Sequence, residues 1–425
     1  MLPAAHAKRG RSCRRQGFFH MENIVNSFNS LYKAYRKTRC GKRDNPTAMR
    51  YRMEAIERTA DLSDRLQRRE YTFGPYYPFK VYEPKERLVL AIDFEGKVVQ
   101  HSLCDNVLEP VFSRRFIRDN YAGQIGKGTH DGLDRLADAM RHYFFSRKAA
   151  DEWDYAEGWV LKGDFSKFFY TLLHAVCFEK ARKALAFLSD EELIDFVEWL
   201  LWIVIDSTPD PGIPIGNQSS QLLALLYLDD FDHWLRDDLG LVYGRYMDDF
   251  YIISSDKLLL REILKRIEEY IKPLGLRLNG KTQIFPLKNG IDFLGFHTYL
   301  TSTGKVVRKV RAKSIDNMKR KIRKFRGLVD RGKMTLESVS QSYASWTGHI
   351  SHGNTYHLRQ NMDAYFFAYF PELKPTERRQ DSCLKPSEAL PTRQKSSSAA
   401  STARRSSGSR PTKTTPATPP TASPS

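Results

Sequence analysis

Two adjacent aspartates, Asp248 and Asp249, sit in Tyr246-Met247-Asp248-Asp249-Phe250, between two apolar, β-branched or aromatic segments. Like charges at a tight turn repel unless a cation neutralises them, so this pair reads as a metal-holding site. Hard divalent ions such as Mg²⁺ prefer carboxylate oxygen, and two-ion phosphoryl transfer needs carboxylates from separate segments. Asp164 is the natural third. It ends the segment Trp159-Val160-Leu161-Lys162-Gly163-Asp164, on which Val160 and Lys162 share its face. Taken alone, Asp164 reads more simply as a helix N-cap, and its weight comes from the constellation. The Asp-Asp dipeptide carries little by itself, because Asp229-Asp230 and Asp237-Asp238 also occur. Tyr227-Leu228-Asp229-Asp230-Phe231 continues an apolar helix, so that pair is expected on the helix's exposed face.

The elements that must position these acids follow from periodicity. Helical spacing places Ile24, Phe28, Leu31 and Tyr35, then Met49, Met53 and Ile56, around a Gly41–Pro46 break. Tyr76–Tyr82 and Arg87–Ile92 read as strands flanking the turn Glu83-Pro84-Lys85-Glu86. A helical segment Val98–Leu108 leads to Gly123–Thr129, which superficially resembles a phosphate-binding loop. It fails that pattern twice, at Tyr121 and at Gly128. Helices are expected over Asp131–Phe145, Leu172–Leu188 and Glu191–Ile205, and a long one over Ser219–Leu235 beyond the stiff turn Gly212–Gly216. Leu241–Tyr246 and Phe250–Ser254 form a hairpin about Met247-Asp248-Asp249. Helices mixed with an antiparallel sheet make an α+β fold.

Lys+Arg 68 against Asp+Glu 50 leaves a formal charge of +18, which favours a polyanionic partner. With 41% hydrophobic and 12% aromatic residues, wholesale disorder is excluded. The longest apolar stretch, Leu193–Ile205, holds Asp195 and Glu198 and is shorter than the roughly 20 residues of a bilayer span, so no membrane is expected. Cys13, Cys40, Cys104, Cys177 and Cys383 are scattered, as in a reduced, cytoplasmic protein. Lys8–Arg15 is basic without a following apolar stretch, and Met21 opens a more ordinary beginning, so 1–20 is read as a basic, disordered extension. The Ser, Thr, Pro and Lys/Arg-rich stretch 376–425 is expected to be a disordered tail. No internal repeat is evident.

Tyr246-Met247-Asp248-Asp249 resembles the YxDD box of reverse transcriptases, and Asp164-Phe165-Ser166-Lys167-Phe168-Phe169 resembles their first palm motif. The resemblance runs from about Tyr76 to Leu358. Ile215-Gly216-Asn217-Gln218-Ser219-Ser220-Gln221 departs from the usual Gln-Gly-x-x-x-Ser-Pro and is similar to the enzymes of diversity-generating retroelements. Those enzymes copy an RNA template repeat with errors at adenines. Asp292–Phe296 resembles the block that supports the primer terminus. Ser342–His349 with His352-Gly353 resembles the end block of the diversity-generating enzymes.

The resemblance implies an RNA-directed DNA polymerase shaped as a right hand, with fingers and palm over 21–298 and a helical thumb over 299–375. Asp164, Asp248 and Asp249 would be catalytic. With Phe165 they would form the metal set for two Mg²⁺ ions, which Mn²⁺ could replace. Lys85 and Arg87 match the finger residues that hold the incoming triphosphate, and Ile215 and Gly216 lie beside the nascent pair. Phe169 matches the aromatic gate that excludes a 2′-hydroxyl; without the family it reads as a core aromatic. Lys305–Arg326 is expected to be a basic helix with Ile315, Met318, Ile322 and Phe325 on one face and Lys319, Arg320, Arg323 and Lys324 available to phosphates. Implied partners are an RNA template, a DNA or RNA primer, dNTPs and a small basic accessory protein. His349, His352 and His357 read as zinc ligands only weakly, and Tyr343 and Trp346 read as packing residues. Alternatives are a group II intron-like, retron-like or defence-associated enzyme, or a catalytically silent RNA-binding assembly protein.

Overall fold

The computed structural model describes residues 24–42, 45–82, 86–149 and 157–374. Lys85, Cys13, Cys383, the N-terminal extension and the tail lie outside the described residues. Described residues up to Leu373 belong to one compact unit.

The chain begins with helices α1 (Phe28–Thr38), α2 (Pro46–Met53) and α3 (Ala55–Gln67). Ser27 and Asn45 cap the first two by accepting from backbone N–H groups three residues on. A two-stranded hairpin follows, β1 (Tyr77–Val81) with β2 (Arg87–Ala91), in the register Val81 opposite Arg87. Helix α4 (Phe94–Leu103), capped by Asp93, runs through a π-helical turn into α5 (Glu109–Phe112). The long α6 (Thr129–Ala149) precedes the central strand β3 (Trp159–Asp164). Next come α7 (Phe168–Thr171), α8 (His174–Leu185), α9 (Glu191–Ile205), α10 (Gln218–Tyr227) and α11 (Asp229–His233).

Strands β4 (Val242–Tyr246) and β5 (Asp249–Ser254) form the expected hairpin, followed by α12 (Lys257–Ile271) and β6 (Gln283–Pro286). These strands make a wholly antiparallel sheet in the order β4-β5-β3-β6. The near-continuous apolar runs of β3 and β5 are explained by burial on both faces. Leu161, Phe250 and Ile252 enter a core shared with α8, α9, α10 and α12. Val160, Tyr251 and Ile253 enter a second core with Met140 and Phe144 of α6. A three-stranded sheet, β7 (Ile291–Phe293), β8 (Phe296–Leu300) and β9 (Val306–Val310), leads to α13 (Ala312–Asp330), α14 (Leu336–Ile350) and α15 (Tyr356–Tyr369). These helices share a core in which Tyr343 stacks on Phe366 at 3.9 Å and donates to Asp363 at 2.7 Å. Trp346 packs against the same core, so both aromatics serve packing.

Several expectations are corrected. The long helix over Ser219–Leu235 is broken at Leu228, whose φ −105° and ψ 15° are not helical. The break turns Asp229 inward. It is 1% exposed and pairs with Arg115 at 2.8 Å, whereas Asp230 stays outside with Lys180. Lys305–Arg326 is not one helix, because Val306–Val310 pairs with β8 before α13 begins. The expected boundary between 298 and 299 falls inside β8. In the loop Gly123–Thr129, Lys127 donates to the carbonyls of Ile117 and Asn120, so its ammonium holds the chain together. Among the described residues no helix is long and apolar enough to cross a membrane.

Candidate active site

The antiparallel register of β3 and β5 sets Asp164 directly opposite Asp249. Side chains alternate along a strand, so Asp164, Lys162 and Val160 share one face with Asp249, Tyr251 and Ile253. Asp248 occupies the turn between β4 and β5, and its carbonyl accepts from Phe165 N–H at 3.0 Å. Asp164 is tied from the other side, since Asn279 N–H donates to its carbonyl at 2.7 Å and Asn279 Nδ2 to its Oδ2 at 2.9 Å. The N-cap alternative for Asp164 fails. Lys167 holds the N-cap position of α7, and no side chain caps that helix. The three acids of the sequence constellation are therefore brought together.

Burial and neighbouring charges make Asp248 and Asp249 costly to ionise. Burial and then the neighbouring Asp164 charge hold the Asp248 carboxyl above the usual range, with Arg87 pulling the other way. Burial pushes Asp249 up to about 6; Lys162 opposes this, while Asp164 and Asp248 add to it. The Lys162 ammonium lies 3.1 Å from Asp249 Oδ1 and 3.2 Å from Oδ2, but is aligned for a hydrogen bond only with Oδ2. Asp249 Oδ1 is buried and without a hydrogen bond. Among the described residues no group of three or more His, Cys, Asp or Glu side chains is arranged to hold a metal ion. The fit to a hard divalent ion rests instead on donor chemistry. Three carboxylates share one small region, one buried oxygen accepts no hydrogen bond, and the raised affinities of Asp248 and Asp249 for protons mark a place that favours added positive charge.

A second group of expected residues gathers beside the acids. Arg87 opens β2, is exposed, and its charge acts on Asp248. Leu90 N–H donates to Ile215 C=O at 3.1 Å, docking the Ile215-Gly216 block on the hairpin. Gly216 has φ +123°, and a Cβ there would stand 3.0 Å from Val89 Cγ1, so the close approach requires glycine. Ile213 N–H donates to Phe169 C=O at 2.9 Å, which ties half-buried Phe169 to the same block. Phe165 is 1% exposed among Phe168, Phe231 and Phe250. Its side chain is core, leaving only its backbone near the acids.

On α13, Met318 and Ile322 are buried as expected, and Arg320, Arg323 and Lys324 are exposed. Lys319 is half-buried over the Tyr365 ring, and Arg320 bonds Asn317. The histidines do not gather as a zinc set: His352 stacks on His130 at 3.4 Å, His349 lies against Phe296, and His357 against Tyr356. Sequence reasoning assigned no role to Lys162, although its place on the face of Asp164 was visible. Asn279 and Arg245, which reach the site from the loop before β6 and from β4, gave no local signal.

The sequence profile of the reverse transcriptase (RNA-dependent DNA polymerase) family matches residues 83–298, and the chain belongs to that family. It carries a reverse transcriptase domain, an RNA-directed DNA polymerase. Protein YkfC of Escherichia coli (strain K12) is 24% identical over 289 residues, covering 56% of this chain and 71% of that protein. Apo telomerase from Candida tropicalis is similar with TM-score 0.46 and 12% identity, over 73% of this chain and 61% of that one. Telomerase from Candida albicans, in complex with a fragment of telomeric RNA, is similar with TM-score 0.41 and 11% identity, over 75% and 65%. The chain thus spans less than two thirds of those telomerase chains.

Proposed function

We propose that this chain copies an RNA template into DNA from a primer terminus, with Asp164, Asp248 and Asp249 as its catalytic carboxylates. The reading is carried by one observation: the β3–β5 register that pairs Asp164 with Asp249 while Phe165 N–H fixes the Asp248 carbonyl. Those carboxylates, with the Phe165 backbone, would hold two Mg²⁺ ions, or Mn²⁺ in their place. Such ions supply an activated 3′-hydroxyl and a stabilised pyrophosphate leaving group. The chain's own groups do the rest. Arg87, with Lys85, offsets charge on the triphosphate. Phe169 closes the space beneath the sugar. Ile215 offers no amide to the nascent base pair, which weakens hydrogen-bond selection among bases.

The element order supports fingers up to α5 and in the α8–α10 region, a palm around β3–β6, and a thumb in α13–α15, where Arg320, Arg323 and Lys324, with Lys319 at their edge, track phosphates. The Ile-Gly-x-x-x-Ser-Gln block supports the diversity-generating subtype, with a small basic accessory protein as partner. The direct experiment is primer extension on a defined RNA template with Mg²⁺, Mn²⁺ or chelator. Asp248→Asn should lose at least about 10³-fold in extension while RNA binding is kept. Turnover near wild type would refute the assignment of the carboxylates. The subtype is tested on the same products: misincorporation concentrated opposite template adenines is expected, and equal fidelity at all four bases would remove it.

A further inference from the structure

Arg245 of β4 and Asp232 of α11 are both 0% exposed, a fully buried ion pair between sheet and helix. Arg245 Nε donates to Asp232 Oδ1 at 2.7 Å and Nη2 to Oδ2 at 2.6 Å. Its third arm, Nη1, donates to the carbonyl of Met247 at 2.8 Å. Asp232 also accepts from Tyr243 OH at 2.6 Å and from Asn120 Nδ2 at 3.1 Å. The Arg245 main chain is held as well, donating to Asp119 C=O at 2.9 Å and accepting from Tyr121 N–H at 3.0 Å.

Stability alone is a weak reason for such a pair. Desolvating two charges is costly, and apolar residues of similar volume often serve the fold as well. A guanidinium does here what an apolar side chain cannot: it bonds main-chain carbonyls, that of Leu225 at 3.3 Å and, at 2.8 Å, that of Met247. Met247 has φ +55°, a left-handed conformation that a residue with a Cβ keeps only when its surroundings over-determine it. That residue immediately precedes Asp248.

We propose that Arg245 is a positioning residue for polymerisation: held by Asp232, its guanidinium locks the left-handed turn that presents Asp248. The inference rests on reading Asp248 as a metal-holding carboxylate. Asp232 sets two arms of the fork, leaving the third aimed at one carbonyl. A lysine ammonium, a single point donor, cannot span both partners.

The test uses the full chain with Arg245→Met/Asp232→Asn, which removes both charges and leaves Tyr243 an acceptor, and separately Arg245→Lys. Four quantities are read: the thermal melt, amide exchange at Met247–Phe250, Mn²⁺ affinity by electron paramagnetic resonance, and kcat against KM for dNTP. Expected for a folded variant are a kcat loss of about 30- to 100-fold with KM within threefold, Mn²⁺ binding weakened about tenfold, and faster exchange at the turn. A folded variant with kcat and Mn²⁺ affinity within threefold of wild type overturns the proposal. Failure of both variants to fold also overturns it, because the pair would then serve the fold itself. Asp248→Asn separates the two readings. If it stays active, the carboxylate assignment has failed; if it is inactive while the Arg245 variants work, only the clamp has.

Discussion

Gly163 stands one residue before Asp164 and opposite Phe250, one residue after Asp249. Replacing it with alanine should therefore strike both stability and chemistry. A Cβ at Gly163 would lie 2.1 Å from Phe250 Cζ and 2.4 Å from Cε1. Carbon atoms settle at about 3.5–4 Å, so the ring must retreat by roughly 1.5 Å. It has nowhere to go, being fully buried with ring centroids 5.5 Å from Phe165, 6.0 Å from Phe231 and 6.2 Å from Tyr243. Overpacking costs about 1–3 kcal/mol and an off-rotamer ring about 1 more, giving about 2–4 kcal/mol. That corresponds to a melting temperature lower by roughly 3–6 °C for a unit of this size. If the strands part instead, Asp164 separates from Asp249 and extension on RNA falls by about 10²-fold. The assay is a double-mutant cycle of Gly163→Ala with Phe250→Leu, read by thermal melts and primer extension. Phe250→Leu alone costs about 1–2 kcal/mol, and the double variant should match it within about 1 kcal/mol because the smaller side chain relieves the clash. Simple addition of the two losses, or a Gly163→Ala protein melting with wild type, would refute the reasoning.

Three further outcomes are expected. Phe169→Ala should raise ribonucleotide incorporation relative to dNTP by at least about tenfold, measured by competing rNTP and dNTP in extension; an unchanged ratio would return Phe169 to a purely packing role. Ile215→Gln should restore an amide beside the nascent pair and lower the error frequency in sequenced products by a few-fold, with unchanged errors counting against that role. His233 donates from Nδ1 to Asp237 at 2.5 Å and from Nε2 to Arg115 C=O at 2.7 Å, an arrangement only the imidazolium fills. Burial opposes its charge, but these bonds and Asp229 raise its pKa above the ordinary 6.5. The stabilisation is then complete below that value and lost as pH rises through the higher folded-state value. Melts of wild type and His233→Gln should differ most near pH 5.5 and converge toward alkaline pH, and a pH-independent difference would exclude this linkage.

Much of the site was legible because its signals are local. The short apolar run opening Trp159–Asp164 placed a strand ending at a carboxylate, and the structure bounds that strand identically. Helix α9 matches Glu191–Ile205 at both ends because Asp190 caps it and its apolar stripe is unbroken. What failed was long-range. Nothing near Asp229 announces Arg115, 114 residues earlier, and that ion pair turns an expected surface acid into a buried one. Val306-Val307-Arg308-Lys309-Val310 lacks the apolar–polar alternation of a half-buried strand, so its Lys and Arg merged with the following helix into one basic run. Arg245, inside a hairpin strand, carried no local signal, since only the folded chain brings Asp232 and Leu225 from two helices and Met247 from the turn around it.

The bonds that space the acids run largely through peptide groups: Phe165 N–H to Asp248 C=O, Asn279 N–H to Asp164 C=O, and the β3–β5 ladder between. Every residue type except proline owns those donors and acceptors. Side chains of the sheet other than Arg245, Lys162 and Gly163 can therefore be exchanged, provided each preserves volume, without altering the gap between Asp164 and Asp249. A sheet redesigned elsewhere would keep the acids in register, so long as the Arg245–Asp232 pair stays, no proline enters those positions and the two strands never slip by one step.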